Sequence, residues 1–226
     1  MEGWIHLSSP ALYAAYVFAI QQLPACPESS VMKFCRTAHN INLSLLSAAM
    51  FFVALVGQVQ TDKFASSNAF LCKSYDENWY MNLAGQAFLY SKYIEWGDTL
   101  FLQLSGKPIS MLQYTHHMST AILVYVGLDR TIISPHILVF IGTNTLVHIP
   151  MYWYFAYPNG FLKRFRRQIT QSQIVQHIVC IGTIVYTMSL DNCRQAEYVN
   201  ILGFALYYMY LFYFTAFYFG SGKKID

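Results

Sequence analysis

The sequence predicts an all-α integral membrane protein with seven transmembrane helices and one domain, residues 1–226. Of the 226 residues, 55% are apolar or aromatic and only 11% are charged, whereas soluble domains carry about a quarter charged residues. The apolar residues form long stretches, and a spanning helix needs about 20 of them. The ionisable residues inside these stretches are grouped, which is typical of a buried site in a membrane protein.

Each span is predicted from an apolar stretch bounded by turn residues. The first is short, ends at Pro24 and Pro27, and follows Glu2 and His6 instead of a basic segment, so we expect it to be retained rather than cleaved. Brief loops with proline and glycine separate the others. The predicted spans are 8–24, 38–58, 79–103, 109–127, 134–156, 169–190 and 197–219.

The distribution of basic residues predicts the orientation. Seven spans put the termini on opposite sides, and the side richer in Lys and Arg is cytosolic. The richer side holds Lys33, Arg36, Lys107, Lys163, Arg164, Arg166, Arg167, Lys223 and Lys224. The poorer side holds Lys63, Lys73, Arg130 and Arg194. The C-terminus is therefore expected in the cytosol and the N-terminus in the lumen.

Two features agree with this orientation. Cys72 and Cys193 fall in loops on the oxidising side, where they could form a disulfide or stay as two free thiols. Lys223 and Lys224 precede the last two residues of the sequence and form a dilysine pattern, which predicts retrieval to the endoplasmic reticulum. A basic flank after a last span is the simpler alternative.

The third predicted span carries Lys92, Glu95 and Asp98. Ionisable groups in a membrane are costly unless they are paired, and a spacing of three places these residues on one helix face. Lys92 can pair with Glu95, which leaves Asp98 to find a partner on another helix. The group is either an ion-pair network that joins helices or part of a substrate site.

Later spans carry histidines with polar residues one helical turn away. In the fourth span, Gln113 precedes His116 by three residues and His117 by four, so its amide can reach either imidazole. The polar positions at helical spacing on the fifth and sixth spans are Asn144, His148, Met151 and Tyr152, followed by Thr170, Gln173, Gln176 and His177. Together with the third span, these side chains are expected to converge on one cavity.

Three buried histidines are compatible with two chemistries. Histidine is a common metal ligand, but glutamine is a poor one, and His117 points about 100° away from His116 on a helix. A neutral imidazole kept away from water is also a general base and a nucleophile toward a thioester, and Gln113 or Asn144 could fix its tautomer. We therefore favour acyl chemistry and predict no metal site.

The same residues carry a family resemblance. The segments 91–99, 112–117, 144–152 and 169–173 occur in order at the spacing of the ELO fatty-acid elongases, which this chain resembles from about residue 38 to 219. These proteins are 3-oxoacyl-CoA synthases of very-long-chain fatty acid synthesis. The resemblance implies a seven-helix protein of the endoplasmic reticulum membrane, and it favours the disulfide between Cys72 and Cys193.

One position departs from the family pattern. The family's box is His-x-x-His-His, and Gln113 stands at its first position. A subset of polyunsaturated-acyl elongases resembles this variant, so the change need not abolish activity. The exchange argues against a metal site built from three histidines of the box.

The reaction that the resemblance implies joins a long-chain, in one subset polyunsaturated, acyl-CoA to malonyl-CoA, releasing CoA and carbon dioxide. His116 is expected to attack the acyl thioester, and His117 or His148 to act as acid or base. The expected orienting and substrate-binding residues are Gln113, Asn144, Lys92, Glu95, Asp98, Gln173 and Tyr152. Lys163, Arg164, Arg166 and Arg167 either bind CoA phosphates or simply follow from positive-inside topology.

The expected partners follow from this reaction. They are the lipid bilayer, the two CoA thioesters, the ketoacyl reductase, dehydratase and enoyl reductase of the elongation cycle, and a second copy of the chain. No permanently bound cofactor is expected. A formal charge of +3 without a basic run interleaved with aromatics argues against nucleic acid. The rival functions are a metal-dependent lipid desaturase or hydroxylase and a seven-span carrier or receptor.

Overall fold

The computed structural model describes residues 3–26, 29–60, 71, 78–128, 137–190 and 197–221. Within these ranges the chain is helical and has no strand. The helices are α1 (Gly3–Leu7), α2 (Ser9–Gln21), α3 (Ser30–Gln60), α4 (Trp79–Ile94), α5 (Trp96–Leu104), α6 (Met111–Leu128), α7 (Ile137–Ala156), α8 (Arg166–Met188) and α9 (Glu197–Ser221). A 3₁₀ turn, Phe161–Phe165, precedes α8.

Each predicted span coincides with a described helix, although the boundaries differ. Helix α3 begins eight residues before the predicted second span, because polar residues such as Lys33 and Arg36 are tolerated in the first turns of a helix where they are not fully buried. Helix α2 has 13 residues and rises about 20 Å at ~1.5 Å per residue. It is therefore shorter than a hydrocarbon core of about 30 Å.

The predicted third span, 79–103, is divided into α4 and α5 at Glu95. The amide of Asp98 donates to the carbonyl of Glu95 at 3.0 Å, a three-residue spacing that tightens the helix locally. Gly97 follows at the point where α3 comes close, since a Cβ there would lie 2.7 Å from a ring carbon of His39. The break between α4 and α5 therefore places Glu95 and Asp98 close to the point where α3 approaches these helices.

Six helices form a closed ring in which each packs on its neighbours in the order α3, α4, α6, α9, α8, α7 and back to α3. Helix α2 lies outside this ring against α6 and α5, and α1 packs on α6. We call the end that carries the α5–α6 turn and the start of α8 the rim end, and the opposite end the far end. Gly106, with φ of 66°, makes the α5–α6 turn, which other residues would adopt only with strain.

The two ends of the ring are packed differently. At the far end, buried apolar side chains from α3, α4, α6 and α7 form one core that includes Met50, Phe88, Val124 and Ile141. At the rim end, a smaller cluster of Leu43, Met151, Tyr152 and Ile169 leaves space beside it. The interior of the ring is therefore closed at the far end and open toward the rim.

The outer surface is apolar. Phe52 and Phe212 are 62% and 63% exposed, as expected where lipid replaces water around a helix. Among the helices of the described ranges, two are long and apolar enough to cross a membrane, Ser30–Gln60 and Tyr198–Gly220. The predictions for Cys72, Cys193, Lys223 and Lys224 lie outside the described residues.

Candidate active site

A cavity of about 480 Å³ occupies the rim half of the ring, within the size range of small-molecule sites. Side chains from α5–α9 and the Glu95 junction line it, so polar residues from several of the predicted spans lie around one cavity. The predicted residues at its wall are Glu95, Asp98, Gln113, His116, His117, Asn144, His148, Tyr152, Arg166, Arg167 and Gln173.

Lys92 and Glu95 form an ion pair inside the ring. The Lys92 ammonium lies 2.7 Å from Glu95 Oε1, and both side chains are 2% exposed. Lys92 also lies over the Phe88 ring, 4.2 Å from its centre, while Ser91 donates to Glu95 Oε1 at 3.3 Å. Because a lone buried charge is costly, the burial of each charge depends on the presence of the other.

The pair is connected to His148 through Asn144. Lys92 donates to Asn144 Oδ1 at 3.1 Å, and Asn144 Nδ2 lies 3.2 Å from His148 Nε2. An ammonium can only donate, so the amide oxygen faces Lys92 and the amide NH₂ faces His148. Nε2 of His148 therefore accepts, and its proton is on Nδ1, 3.7 Å from Glu95 Oε1. The prediction that Asn144 orients an imidazole agrees with this geometry.

His116 is the most accessible imidazole of the cluster. Its ring is half-buried at the cavity wall, with Tyr210 at 5.0 Å and Phe214 at 6.1 Å between ring centres. Within the described part of the chain, no hydrogen bond engages either of its ring nitrogens. An imidazole held by aromatic packing and otherwise unengaged is available for attack on a bound group.

His117 is turned away from His116, as the helical spacing predicts. Their ring centres are 5.4 Å apart, and the His117 ring faces Tyr13 of α2 at 6.2 Å. It is 5% exposed, and its Nδ1 has no hydrogen-bond partner among the described residues. His117 thus lies at the edge of the cavity, less accessible than His116.

The two predicted glutamines make contacts other than those expected. Gln113 donates to Thr99 Oγ1 at 3.4 Å rather than to an imidazole, because its side chain points from the first turn of α6 toward α5. Thr99 in turn shares a 2.8 Å hydrogen bond with Tyr13. Gln173 Nε2 contacts the Met151 sulfur at 3.1 Å. Both glutamines line the cavity, where they are available to a ligand.

Asp98 finds its partners on other helices, as predicted. Its Oδ1 lies 2.9 Å from His39 Nε2 on α3, and its Oδ2 accepts from the Tyr152 hydroxyl on α7 at 2.9 Å. This group joins three helices and supports the structural interpretation of Asp98. Sequence reasoning missed His39, although an ionisable residue in an apolar span is the same signal that selected Asp98.

His177 is a further histidine of the site. It is 3% exposed, lines the cavity and stacks on Phe214 with ring centres 5.0 Å apart. Its Nδ1 lies 2.5 Å from the carbonyl of Gln173, so the ring is held by its own helix. The polar stripe on the sixth span indicated its position, but not its proximity to the aromatic residues of α9.

The four predicted basic residues divide into two pairs. Arg166 and Arg167 are at the mouth of the cavity. Lys163 and Arg164 lie outside it on the 3₁₀ turn, where Lys163 donates to Asn159 and Arg164 lies 3.8 Å from the centre of the Phe161 ring. In the described ranges, no group of three or more His, Cys, Asp or Glu side chains could hold a metal ion.

A ring of helices with an apolar exterior and a histidine-rich cavity defines a helical membrane protein with an internal polar site. A family model described as ELO, the GNS1/SUR4 family, matches residues 2–224. The chain therefore belongs to the GNS1/SUR4 family, whose members are membrane-bound fatty acid elongases.

Individual relatives agree with this assignment. Fatty acid elongase sre1 of Dictyostelium discoideum is 25% identical over 224 residues, covering 96% of this chain and 83% of the relative. Long chain fatty acid elongase 2 of Caenorhabditis elegans is 31% identical over 196 residues, 80% and 69% of the two chains. Fatty acid elongase 2 of Trypanosoma cruzi is 32% identical over 170 residues, 67% and 59% of the two.

Proposed function

We propose that this chain is the condensing enzyme of fatty acid elongation, a 3-oxoacyl-CoA synthase. It would join a long-chain acyl-CoA to malonyl-CoA and give a 3-oxoacyl-CoA two carbons longer. The observation that carries this proposal is the accessible imidazole of His116, in a cavity whose mouth has two arginines. Membership of the elongase family supports the substrate class.

The first half-reaction loads the acyl group. His116 attacks the thioester carbonyl, the bond from carbon to sulfur breaks, and CoA leaves as a thiol after taking the proton that the imidazole loses. The acyl-imidazole splits one difficult condensation into two easier steps. The ring nitrogens of His116 make no hydrogen bond within the described residues, which supports this role. His148 is less suited to attack, because its Nε2 already accepts a hydrogen bond from Asn144.

The second half-reaction forms the carbon–carbon bond. Malonyl-CoA loses carbon dioxide, and the resulting enolate carbon attacks the acyl carbonyl. The bond from that carbonyl to His116 breaks, and the His116 ring takes back a proton, supplied from solvent through a neighbouring imidazole. His148, with Nδ1 protonated, and His117 are the groups that would stabilise the enolate oxygen or exchange protons. Gln113, Gln173 and the Asn144 amide would orient the thioester. No step requires a metal or a resident cofactor.

The rim end is the proposed entrance for both substrates. Arg166 and Arg167 would bind CoA phosphates there, since guanidinium groups form paired hydrogen bonds with phosphate oxygens. The described basic residues Lys33, Arg36, Lys107 and Lys163 also belong to loops or helix starts at this end. The concentration of basic residues at the rim end supports an arrangement of seven spans with the rim in the cytosol and the N-terminus in the lumen.

The remaining expectations belong to the same proposal. The protein would reside in the endoplasmic reticulum, with Lys223 and Lys224 as the retrieval signal and a disulfide between Cys72 and Cys193 on the lumenal side. Gln113 at the first position of the box would place it among elongases of polyunsaturated acyl groups. It would act with the reductases and dehydratase of the cycle, and could pair with a second copy.

The test is malonyl-dependent chain lengthening by the purified protein in lipid vesicles. Wild-type protein should convert acyl-CoA and labelled malonyl-CoA to the 3-oxoacyl product, and His116→Gln should abolish this conversion while the protein stays monodisperse in detergent. His6→Gln, the same exchange at a histidine outside the cavity, is the matched control. Oxygen-dependent modification of the lipid, or binding without turnover, would favour the rival functions instead.

A further inference from the structure

A second concavity, a groove of about 630 Å³, lies on the surface of the rim end. It is lined by residues of the 3₁₀ turn and of the start of α8, between Gly160 and Gln168. Four of its lining residues are basic and none is acidic: Lys163, Arg164, Arg166 and Arg167. The two arginines of α8 also line the histidine cavity, whereas the two basic residues of the turn line the groove alone.

Arg164 packs against two aromatic rings of the turn. Its guanidinium carbon lies 3.8 Å from the centre of the Phe161 ring and 4.9 Å from that of Phe165. A guanidinium that stacks on rings keeps the N–H groups along its edge available for hydrogen bonds. Among the described residues, none accepts a hydrogen bond from these N–H groups or forms an ion pair with them. Arg164 therefore has a fixed orientation and unused donors.

Lys163 is a second cation without a compensating charge. Its ammonium donates to Asn159 Oδ1 at 3.1 Å, which is a neutral acceptor, and an ammonium has two further donors. Within the described part of the chain, no carboxylate pairs with Lys163 or Arg164. Two neighbouring cations with free donors are suited to the oxygens of a phosphate group.

The aromatic residues around the groove indicate its depth in the membrane. Trp153 and Tyr157, at the end of α7, are 45% and 43% exposed, with ring centres 5.4 Å apart, and Phe161 is 67% exposed. Exposed Trp and Tyr rings are typical of the boundary between lipid chains and headgroups. The groove therefore lies at the depth of the lipid phosphates in the rim-side leaflet.

We propose that this groove binds the headgroup phosphate of an anionic phospholipid, with Lys163 and Arg164 as its ligands. The excess of positive charge favours an anionic headgroup over a zwitterionic one, whose own cation the groove would repel. The acyl chains of the lipid would lie on the apolar exterior of α8, where Val175 and Ile178 are exposed. The inference goes beyond the proposed function and depends only on the rim end meeting the membrane surface.

The experiment compares the binding of phosphatidylinositol and of phosphatidylcholine with the same acyl chains to the intact chain in detergent, by native mass spectrometry. Wild-type protein should bind phosphatidylinositol about tenfold more tightly or better, because each basic residue near the surface adds to the attraction for an anionic lipid. Lys163→Ala with Arg164→Ala should lose this preference. Lys163→Gln with Arg164→Gln keeps longer side chains and serves where the alanine pair is not monodisperse.

Lys33→Ala with Lys107→Ala is the matched control, since both are exposed basic residues of the rim end that do not line the groove; it should keep the preference. An equal loss in this pair, or wild-type protein without a preference, would overturn the headgroup site.

A separate measurement distinguishes the lipid from CoA. In vesicles of phosphatidylcholine alone, Lys163→Ala with Arg164→Ala should leave KM for both CoA substrates within about twofold of wild type. A tenfold rise would assign the groove to CoA and overturn the proposal. Because lipid binding is measured without substrates, a wild-type protein that fails to elongate would overturn the proposed function and leave this inference standing.

Discussion

The Lys92 ammonium lies 2.7 Å from Glu95 Oε1, with both side chains 2% exposed in the interior of the helix ring. The pair is adjacent to the candidate active site and connected to it, because the same ammonium donates to Asn144, whose amide meets His148. A charge pair needed for stability thus also fixes the orientation of an imidazole.

Breaking the pair should separate these two roles. Lys92→Met or Glu95→Gln alone leaves a buried charge without its partner and should lower stability by about 3–5 kcal/mol. The double exchange Lys92→Met with Glu95→Gln removes both charges and should recover much of that loss. Thermal unfolding in detergent measures stability, and the elongation assay should show that activity does not return in the double variant. Full activity there would contradict the link to His148.

The tautomer of His148 should depend on Asn144. Asn144→Asp keeps an oxygen toward Lys92 but removes the NH₂ that faces Nε2, so kcat should fall about 100-fold with little change in KM. Thr143→Ser, on the same helix and outside the cavity, provides the control. Wild-type kcat in the Asn144→Asp protein would show that this orientation is not needed.

The two arginines at the mouth should act on CoA binding rather than on chemistry. Replacing Arg166 and Arg167 with alanine should raise KM for both CoA substrates about tenfold or more, because charge-assisted hydrogen bonds contribute ~1.5–3 kcal/mol each, with kcat nearly unchanged. Lys163→Ala with Arg164→Ala is the matched pair outside the cavity. Equal effects from the two pairs would indicate general surface charge instead of a phosphate site.

The protein should tolerate replacement of Gln113 by histidine, the residue that the family pattern has at this position. Its hydrogen bond to Thr99 is long at 3.4 Å, so Gln113→His should change kcat/KM by less than about tenfold. The purified variant should bind no stoichiometric iron or zinc, because His117 faces Tyr13 rather than position 113. Elemental analysis and the elongation assay check both statements; a metal-dependent gain of activity would refute them.

The fold and much of the site could be predicted from the sequence for a simple reason. Apolar stretches and turn residues locate the helices, and the cost of buried ionisable groups marks Lys92, Glu95, Asp98 and His148 before any contact is known. Helical spacing also predicts correctly that Lys92 pairs with Glu95 and that Asp98 needs partners elsewhere.

What escaped prediction depends on packing between helices distant in sequence. His39 contacts Asp98, 59 residues away in the sequence, and Tyr210 contacts Ser119, 91 residues away. The spacing of residues along a single helix cannot predict contacts at such sequence separations. The direction of Gln113 depends on the position of α5, which the division at Glu95 sets. The floor of the cavity could not be predicted either, since an aromatic helix facing lipid and one facing inward have similar compositions.

The most direct test of the account is the release of CoA when acyl-CoA alone is mixed with the enzyme in vesicles. If His116 takes the acyl group, wild-type protein should release CoA in a rapid burst close to one equivalent without malonyl-CoA, and His116→Gln should release none. A burst that survives in His116→Gln, or wild-type elongation with no burst, would contradict a covalent role for His116.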